Sequence, residues 1–498
     1  MGRADFDRPF RMPGQAAMRI AFVDQTVRFS IPLGTTGVAS MLRRGGHEIE
    51  LFVIGRAPER AIGAVRAWNP DAVGFSAMTG SHQVLLDFAR RLKERLPTPT
   101  IFGGPHPTFF PEIIELPWVD AVCRGEGEEA LLEFVDLLGA DDGRLPETVR
   151  NFWVKRGGGI VKNPVRPRNR SLDDLPFPAR DLYLRQFPIL RHHGVKHFMA
   201  HRGCPNRCTY CFNDAYNTMY RDEAGERRIY HSRSPENILA EILDLQRRTD
   251  LRMVGFVDDV FALDRKWVFA FAEAYARRCS LPFSINARFE SLEEDVVAAL
   301  AGAGLRLVYC GVESGDEFFR NRVMLRRMGE EVMLAAAERC RKHGVKIITE
   351  NIIGLPGETY AAAARTLEVN TRIRPDLANA SLFAPYPRLP LTEYAAANGY
   401  FDDDYDRLRP NYYHESAIRF PSRLDRNRIL NLRCFFSLLA HHPRLLPVLE
   451  PLLRIPPNPL FRLIGDLIDG YYIRRCVAYR MTAADFLRTV RHYLVFYR

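Results

Sequence analysis

Cys204-Pro-Asn-Arg-Cys208-Thr-Tyr-Cys211 places three cysteines within eight residues, spaced three and then two residues apart. They follow a short apolar segment, Phe198-Met199-Ala200. Three thiolates at this spacing can hold one metal centre. A 4Fe-4S cluster usually takes four cysteines, so three leave one iron open to another ligand. An open coordination position is what separates a catalytic metal site from a structural one. Zinc stays open as an alternative at this point, with His201 or His231 as the fourth ligand.

Working outward from that stretch, the pattern after it alternates. Strand-like runs fall at 196–202, 253–258, 283–288, 307–313, 346–353 and 378–384. Helical periodicity fills 235–248, 264–278, 293–303 and 329–343. Six strands alternating with helices predict a parallel sheet, open or curled. The cysteines then sit after the first strand, where such sheets carry their ligand loops.

Upstream, a second alternation predicts strands at 19–23, 50–54, 72–76, 100–103 and 120–123, with helices at 35–45, 82–95 and 127–138. Residues 141–190 break the rhythm: Gly157-Gly158-Gly159 and prolines 164, 167, 176 and 178 read as a linker. Residues 424–498 read as helical and basic, rich in Leu, Phe and Tyr. They suit a helical cap that closes the barrel mouth, or a basic amphipathic surface meeting membrane or a lipid-like substrate. Phe435-Phe436, Leu438-Leu439 and Tyr471-Tyr472 beside Arg474-Arg475 fit either.

Composition sets the class. The 498 residues are 47% hydrophobic and 26% charged, which is globular and long enough for about three domains. No apolar run reaches the ~18 residues that span a bilayer, and the first 17 residues lack a signal-peptide core. The cytoplasm is the expected compartment, where clustered cysteines point to metal rather than disulfides. The net charge of +10 comes from arginines scattered through the chain, not from a basic block. Nucleic acid is therefore not expected as a partner. Cys123, Cys279, Cys310, Cys340, Cys434 and Cys476 fall in apolar patterns and read as buried thiols, with Cys310 on a core strand the one to watch.

The spacing Cys204-x-x-x-Cys208-x-x-Cys211, with Tyr210 before the last cysteine, resembles the signature of the radical S-adenosylmethionine (SAM) superfamily. The resemblance implies a partial (β/α)6 barrel over 191–400. It implies a 4Fe-4S cluster on the three cysteines, with SAM chelating the fourth iron, and an electron donor such as flavodoxin or ferredoxin. It implies SAM contacts at the strand ends: Asp258 and Asp259 in Gly255-Phe-Val-Asp-Asp for the amino group, Arg288 for the carboxylate, Glu313 for the ribose, and Gly354 and Gly357 beside the adenine.

Residues 18–140 resemble the cobalamin-binding domain that precedes many radical SAM barrels. Ser76-Ala-Met-Thr79, Gly103-Gly104-Pro105-His106 and Cys123-Arg-Gly125-Glu126-Gly127 carry that likeness. It implies an α/β, doubly wound domain with cofactor contacts at Ser76, Thr79, Gly103, Gly104, Gly125, Glu126 and Gly127. The Asp-x-His-x-x-Gly motif that ligates cobalt is absent, so His106 is expected as a hydrogen-bonding loop histidine. Family members often carry Pro-Gly-Thr near the sixth strand. This chain has Pro387-Arg388-Leu389-Pro390-Leu391-Thr392 instead. The relatives implied are cobalamin-dependent methyltransferases and an anaerobic magnesium-protoporphyrin ester cyclase. The expected activity is methyl transfer to an unactivated carbon of a small, lipid-like or tetrapyrrole substrate, with other radical chemistry as the alternative. Methylthiotransferases of transfer RNA carry a second three-cysteine set in the N-terminal domain, where this chain has only Cys123.

Overall fold

A computed structural model of the protein describes residues 17–27, 30–405, 408 and 415–479. The expected helix beyond 479 lies outside them. The first sheet has the order β2-β1-β3-β4-β5-β6-β7. β1 (Arg19–Asp24), β2 (Glu48–Val53), β3 (Ala72–Ser76), β4 (Thr100–Gly103) and β5 (Ala121–Cys123) pair in parallel, as the pattern predicted. β1 and β5 are apolar runs because helices cover both faces of the sheet. The strand order reverses between β1 and β3, which opens a crevice at the carboxyl ends of those strands.

The stretch expected as a linker is built into the structure. β6 (Phe152–Arg156) and β7 (Gly159–Lys162) form a hairpin that extends the first sheet antiparallel to β5. Gly157 and Gly158 have φ of 57° and 83°. Two central residues at positive φ make the tight hairpin turn whose twist matches the strands. Those glycines therefore end a strand rather than loosen a linker. Residues 163–190 follow as a strap anchored by buried side chains. Leu172, Leu182, Tyr183 and Leu190 lie in its core, and Tyr183 donates to Asp24 at 2.8 Å. Arg180 pairs with buried Glu241 and donates to the His197 carbonyl at 2.8 Å. One continuous apolar core runs from Phe22 and Phe134 through Tyr183 to Phe198 and Phe256.

The second sheet has the order β15-β14-β13-β12-β11-β8, all parallel. Its members are β8 (Val195–Phe198), β11 (Met253–Phe256), β12 (Phe283–Ala287), β13 (Leu305–Glu313), β14 (Lys346–Ile353) and β15 (Leu377–Leu382). No pairing joins β8 to β15, so the barrel is partial. β9 (His201–Arg202) and β10 (His231–Ser232) form a small antiparallel pair beside the cysteine loop. Cys310 faces the helices, fully buried beside Cys340, so it belongs to the core and not to the barrel lumen.

The C-terminal helices do not close the barrel mouth. Arg423–His441 packs on β15 and on helix Tyr360–Ile373, burying Phe435, Phe436 and Leu439. Pro459–Cys476 lies over it, with Gly465 against the Cys434 backbone. Its Tyr472 and Cys476 meet Met253, Leu307, Ile348 and Leu377, which are residues from the amino-terminal ends and lower turns of the strands. These helices thus seal the floor. The mouth is covered by residues 383–405 and 415–420, where Phe383, Leu391, Phe401 and Ile418 pack with Met324 and Leu355 and against Tyr210. The reason is chemical: the buried stripe of Arg423–His441 matches the exposed outer edge of the sheet, while the loop after β15 already lies over the strand ends.

Candidate active site

The cysteine loop begins with Gly203 at φ 90°, where a Cβ would stand 2.0 Å from the Ile229 carbonyl. Only glycine passes there. Cys204 and Cys208 are buried, and Cys211 caps helix Phe212–Ala224 and opens into a cleft. Each sulfur faces one side-chain N–H: Asn206 at 3.2 Å from Cys204, Arg288 at 3.8 Å from Cys208, Asn213 at 3.5 Å from Cys211. Such donors stabilise negative sulfur and tune iron–sulfur centres. Burial pushes the Cys204 thiol up and the Cys211 thiol up to about 12, and the neighbouring sulfurs add to both shifts. Binding a metal must therefore release protons here.

Among the described residues no group is set to hold a single metal ion. Three thiols on one loop, each facing a side-chain N–H donor, are the kind of donor set that an iron–sulfur cluster takes. The zinc alternative would draw on His201 or His231. His201 meets Asp258 through Nδ1 at 2.9 Å and His231 donates through Nε2 to the Arg228 carbonyl at 3.1 Å, which leaves His201 Nε2 and His231 Nδ1 without a hydrogen-bond partner, yet neither ring forms a single-ion site with the cysteines among the described residues.

The strand-end residues divide. Asp258, expected toward an amino group, is fully buried and turned away from the cleft. Its Oδ1 accepts from the backbone of Ala200 and His201 and from the His201 ring, so it pins the end of β8. Asp259 next to it lines the cleft with Cys211. Enclosure pushes its carboxyl up, against the pull of an Asn213 hydrogen bond. Arg288 reaches Cys208, Glu290 at 2.6 Å and the Arg326 carbonyl at 2.9 Å. Glu313 sits at φ 64°, and burial raises its carboxyl despite Arg326 at 3.6 Å. Gly311 leaves it room, since a Cβ there would fall 2.0 Å from Glu313 Oε1. Arg326 also donates to Tyr210 at 3.1 Å and to the Gly311 carbonyl at 2.6 Å. Arg326 and Asn213 were not singled out from the sequence. Both lie off the strand ends, and no local pattern marks them.

Gly354 and Gly357 are left-handed at 71° and 80°. Their missing side chains admit Phe420 and Tyr400 of the covering segment, with ring atoms near 3.3 and 3.0 Å from the would-be Cβ atoms. Glu358 holds the turn by accepting from the Gly354 and Leu355 backbone, and burial raises its carboxyl to about 8.

The cleft lies between the two sheets and has a volume of about 760 Å³. That is within the ~300–1,000 Å³ of small-molecule and cofactor sites. Ser76, Gly103, Gly104, Gly125, Glu126 and Gly127 line one wall, at the crevice of the first sheet. Cys211, Phe212, Asn213, Tyr216 and Asp259 line the other. Gly104 has φ 97°, and a Cβ there would lie 3.0 Å from the Ala77 carbonyl. The walls are clamped together: Tyr220 accepts from the Glu126 N–H at 2.7 Å, Arg124 pairs with Glu223 at 2.8 Å, and Arg202 pairs with Glu128 at 2.6 Å.

Thr79 does not line the cleft. It bonds His106 Nδ1 at 3.1 Å, and the His106 ring stacks on His82 at 3.7 Å. Burial lowers His106 to about 3, so it is a neutral loop histidine. A Cβ at Gly104 or Gly125 would meet Ala77 or Tyr220, so the backbone itself forms this wall, and no histidine lines the cleft.

Comparison with known proteins gives a consistent pattern. Residues 199–369 match the radical SAM superfamily model, and residues 23–135 match the B12 binding domain model. An uncharacterized methyltransferase of Pyrococcus horikoshii is 28% identical over 74% of this chain and 79% of its own. The anaerobic magnesium-protoporphyrin IX monomethyl ester cyclase of Rubrivivax gelatinosus is 26% identical over 81% of this chain and 73% of its own. The solved structure of the cobalamin-dependent S-adenosylmethionine radical enzyme OxsB shares the fold, with a TM-score of 0.68 at 16% identity over 96% of this chain and 72% of that one.

Proposed function

Because the chain carries a radical SAM domain behind a B12-binding domain, we propose that it is a cobalamin-dependent radical SAM methyltransferase acting on an unactivated carbon of a small molecule. Cys204, Cys208 and Cys211 would hold the 4Fe-4S cluster. The glycine wall from Ser76 to Gly127 would hold cobalamin without a protein ligand to cobalt. When bound, the cluster and SAM supply a 5′-deoxyadenosyl radical, and cobalamin supplies the carried methyl group.

The chain's residues do the rest. Asp259, at the cleft wall beside Cys211, accepts hydrogen bonds from an ammonium group. Arg288 donates toward the Cys208 sulfur and would offer its remaining N–H groups to a carboxylate. Glu313, held by Arg326, would accept from sugar hydroxyls at the strand end. The segment over the mouth and the strap 163–190 exclude water, which protects a radical from side reactions. A small electron donor of the flavodoxin or ferredoxin kind would reduce the cluster.

The observation that carries this reading is the shared cleft: one cavity has Cys211 and Asp259 on one wall and Gly103, Gly104 and Gly125 on the other. The Pyrococcus relative, named a methyltransferase, favours methyl transfer, and the cyclase relative carries the alternative of radical oxidation without it. The test is oxygen-free purification with SAM, a reductant and candidate substrates. Methyl transfer yields both 5′-deoxyadenosine and S-adenosylhomocysteine. Only 5′-deoxyadenosine, with cobalamin bound and substrate consumed, would establish the alternative. Zinc without labile sulfide would end both.

A further inference from the structure

Half of the exposed large apolar side chains among the described residues fall within a short stretch of the C-terminal helices. They are Leu445, Val448, Leu452, Ile455, Leu460, Leu463, Leu467, Tyr471 and Ile473, each between 38% and 70% exposed. On helix Pro459–Cys476, residues 460, 463, 467 and 471 recur at helical spacing and form one outward stripe. The opposite face of the same helix is also apolar: Phe461, Ile464, Ile468 and Tyr472 pack on Arg423–His441, the sheet edge and the barrel floor. The helix thus carries two apolar faces, one buried against the protein and one left uncovered. Scattered exposed apolar residues are ordinary, whereas a contiguous patch marks an interaction surface.

The charges around the stripe choose its partner. Arg444, Arg454, Arg462, Arg474 and Arg475 lie along the same stretch of chain, with Arg454 3.8 Å from Glu450 and Arg462 3.8 Å from Glu415. Of the acidic residues there, Glu450 pairs with Arg428 and Asp469 with buried Arg433 at 3.2 Å, while Asp466 lies half exposed 3.9 Å from the same arginine, so the arginines outnumber the carboxylates left at the surface. Tyr471 lies beneath the Arg475 guanidinium, 5.5 Å from its ring centre, with its hydroxyl 3.1 Å from that side chain. An apolar ridge with an amphipathic aromatic and a basic margin is the chemistry of an interfacial anchor. A symmetric dimer through this face would set arginines against arginines, because the same patch meets itself. No helix among the described residues is long and apolar enough to cross a membrane, so the contact lies on the surface.

We propose that helices Leu446–Leu453 and Pro459–Cys476 dock the protein on an anionic lipid bilayer, with Leu460, Leu463, Leu467 and Tyr471 entering the headgroup region and the arginines holding lipid phosphates. The surface lies on the floor side of the barrel, away from the cleft, and the proposal is independent of the reaction class.

The test is co-sedimentation of the full-length chain with vesicles of phosphatidylcholine alone and of phosphatidylcholine with phosphatidylglycerol. The wild type is expected to pellet with the anionic vesicles, less so at high salt. Leu463→Glu with Leu467→Glu is expected to weaken binding by about tenfold or more, with circular dichroism and SAM cleavage unchanged. Should that pair disturb folding, Arg474→Glu with Arg475→Glu carries the test, with an expected loss of about tenfold on anionic vesicles. Three results would overturn the proposal: no pelleting of the wild type, pelleting unaffected by either pair, or a wild-type dimer in light scattering that the leucine pair converts to monomer.

Discussion

The two walls of the cleft are both loops at strand ends, yet they are built from different materials. The wall of the first sheet is backbone: Gly103, Gly104, Gly125 and Gly127 leave space, and Gly104 and Gly125 take left-handed conformations. The wall of the barrel is side chain: Cys211, Asn213 and Asp259 present groups that titrate or donate. A wall of backbone suits a large ligand recognised by shape. A wall of side chains suits a small ligand recognised by charge. The same substitution should therefore act by crowding on one side and by lost chemistry on the other.

The largest effect belongs to the side-chain wall. Cys211→Ser should abolish 5′-deoxyadenosine formation and the iron–sulfur absorbance after reconstitution, while circular dichroism stays native. Retained cluster absorbance would mean that the three thiolates are not the ligand set.

Next comes the backbone wall. Gly104→Val places a β-branched side chain at φ 97° and close to the Ala77 carbonyl, which costs on the order of 1–3 kcal/mol in stability. It should remove bound corrinoid and S-adenosylhomocysteine formation, yet leave SAM cleavage to 5′-deoxyadenosine. Equal loss of both products would erase the distinction between the walls.

A pair of neighbours sharpens the contrast. Asp259→Asn should raise the KM for SAM about tenfold with an unchanged melting temperature. Asp258→Asn should do the reverse, because its carboxylate accepts three buried N–H groups at the end of β8. Leaving those donors poorly paired costs ~1–3 kcal/mol. Thermal unfolding and SAM saturation curves separate the two.

A last effect, on stability alone, is one of pH. Burial raises Glu358 to about 8, above its ordinary 4.5. Its contribution to stability is therefore full below about pH 4.5 and is lost as pH rises toward 8. Glu358→Gln should flatten the fall in melting temperature across that window relative to the wild type. Parallel curves would show that Glu358 keeps an ordinary pKa.

The sequence made the architecture legible where one signal dominated. β14 and helix Pro235–Arg248 fall on the expected residues because their apolar periods are long and uninterrupted. The cysteine spacing was legible because it is local. The hairpin β6–β7 was hidden since Gly157-Gly158-Gly159 reads equally as slack and as a turn, and only pairing with β5 decides. Asp258 and Asp259 were indistinguishable because adjacent residues after a strand point to different sides, and the sequence does not say which side faces ligand. Arg326 was illegible for another reason: it reaches Tyr210 and Gly311 from a loop whose path depends on the whole barrel.

The central claim is that one cleft serves both cofactors, and its most direct measurement is electron paramagnetic resonance of the protein carrying cob(II)alamin and the reduced cluster. The account predicts spin–spin broadening of both signals, abolished in Cys208→Ser. A spectrum equal to the sum of the two isolated centres would contradict it.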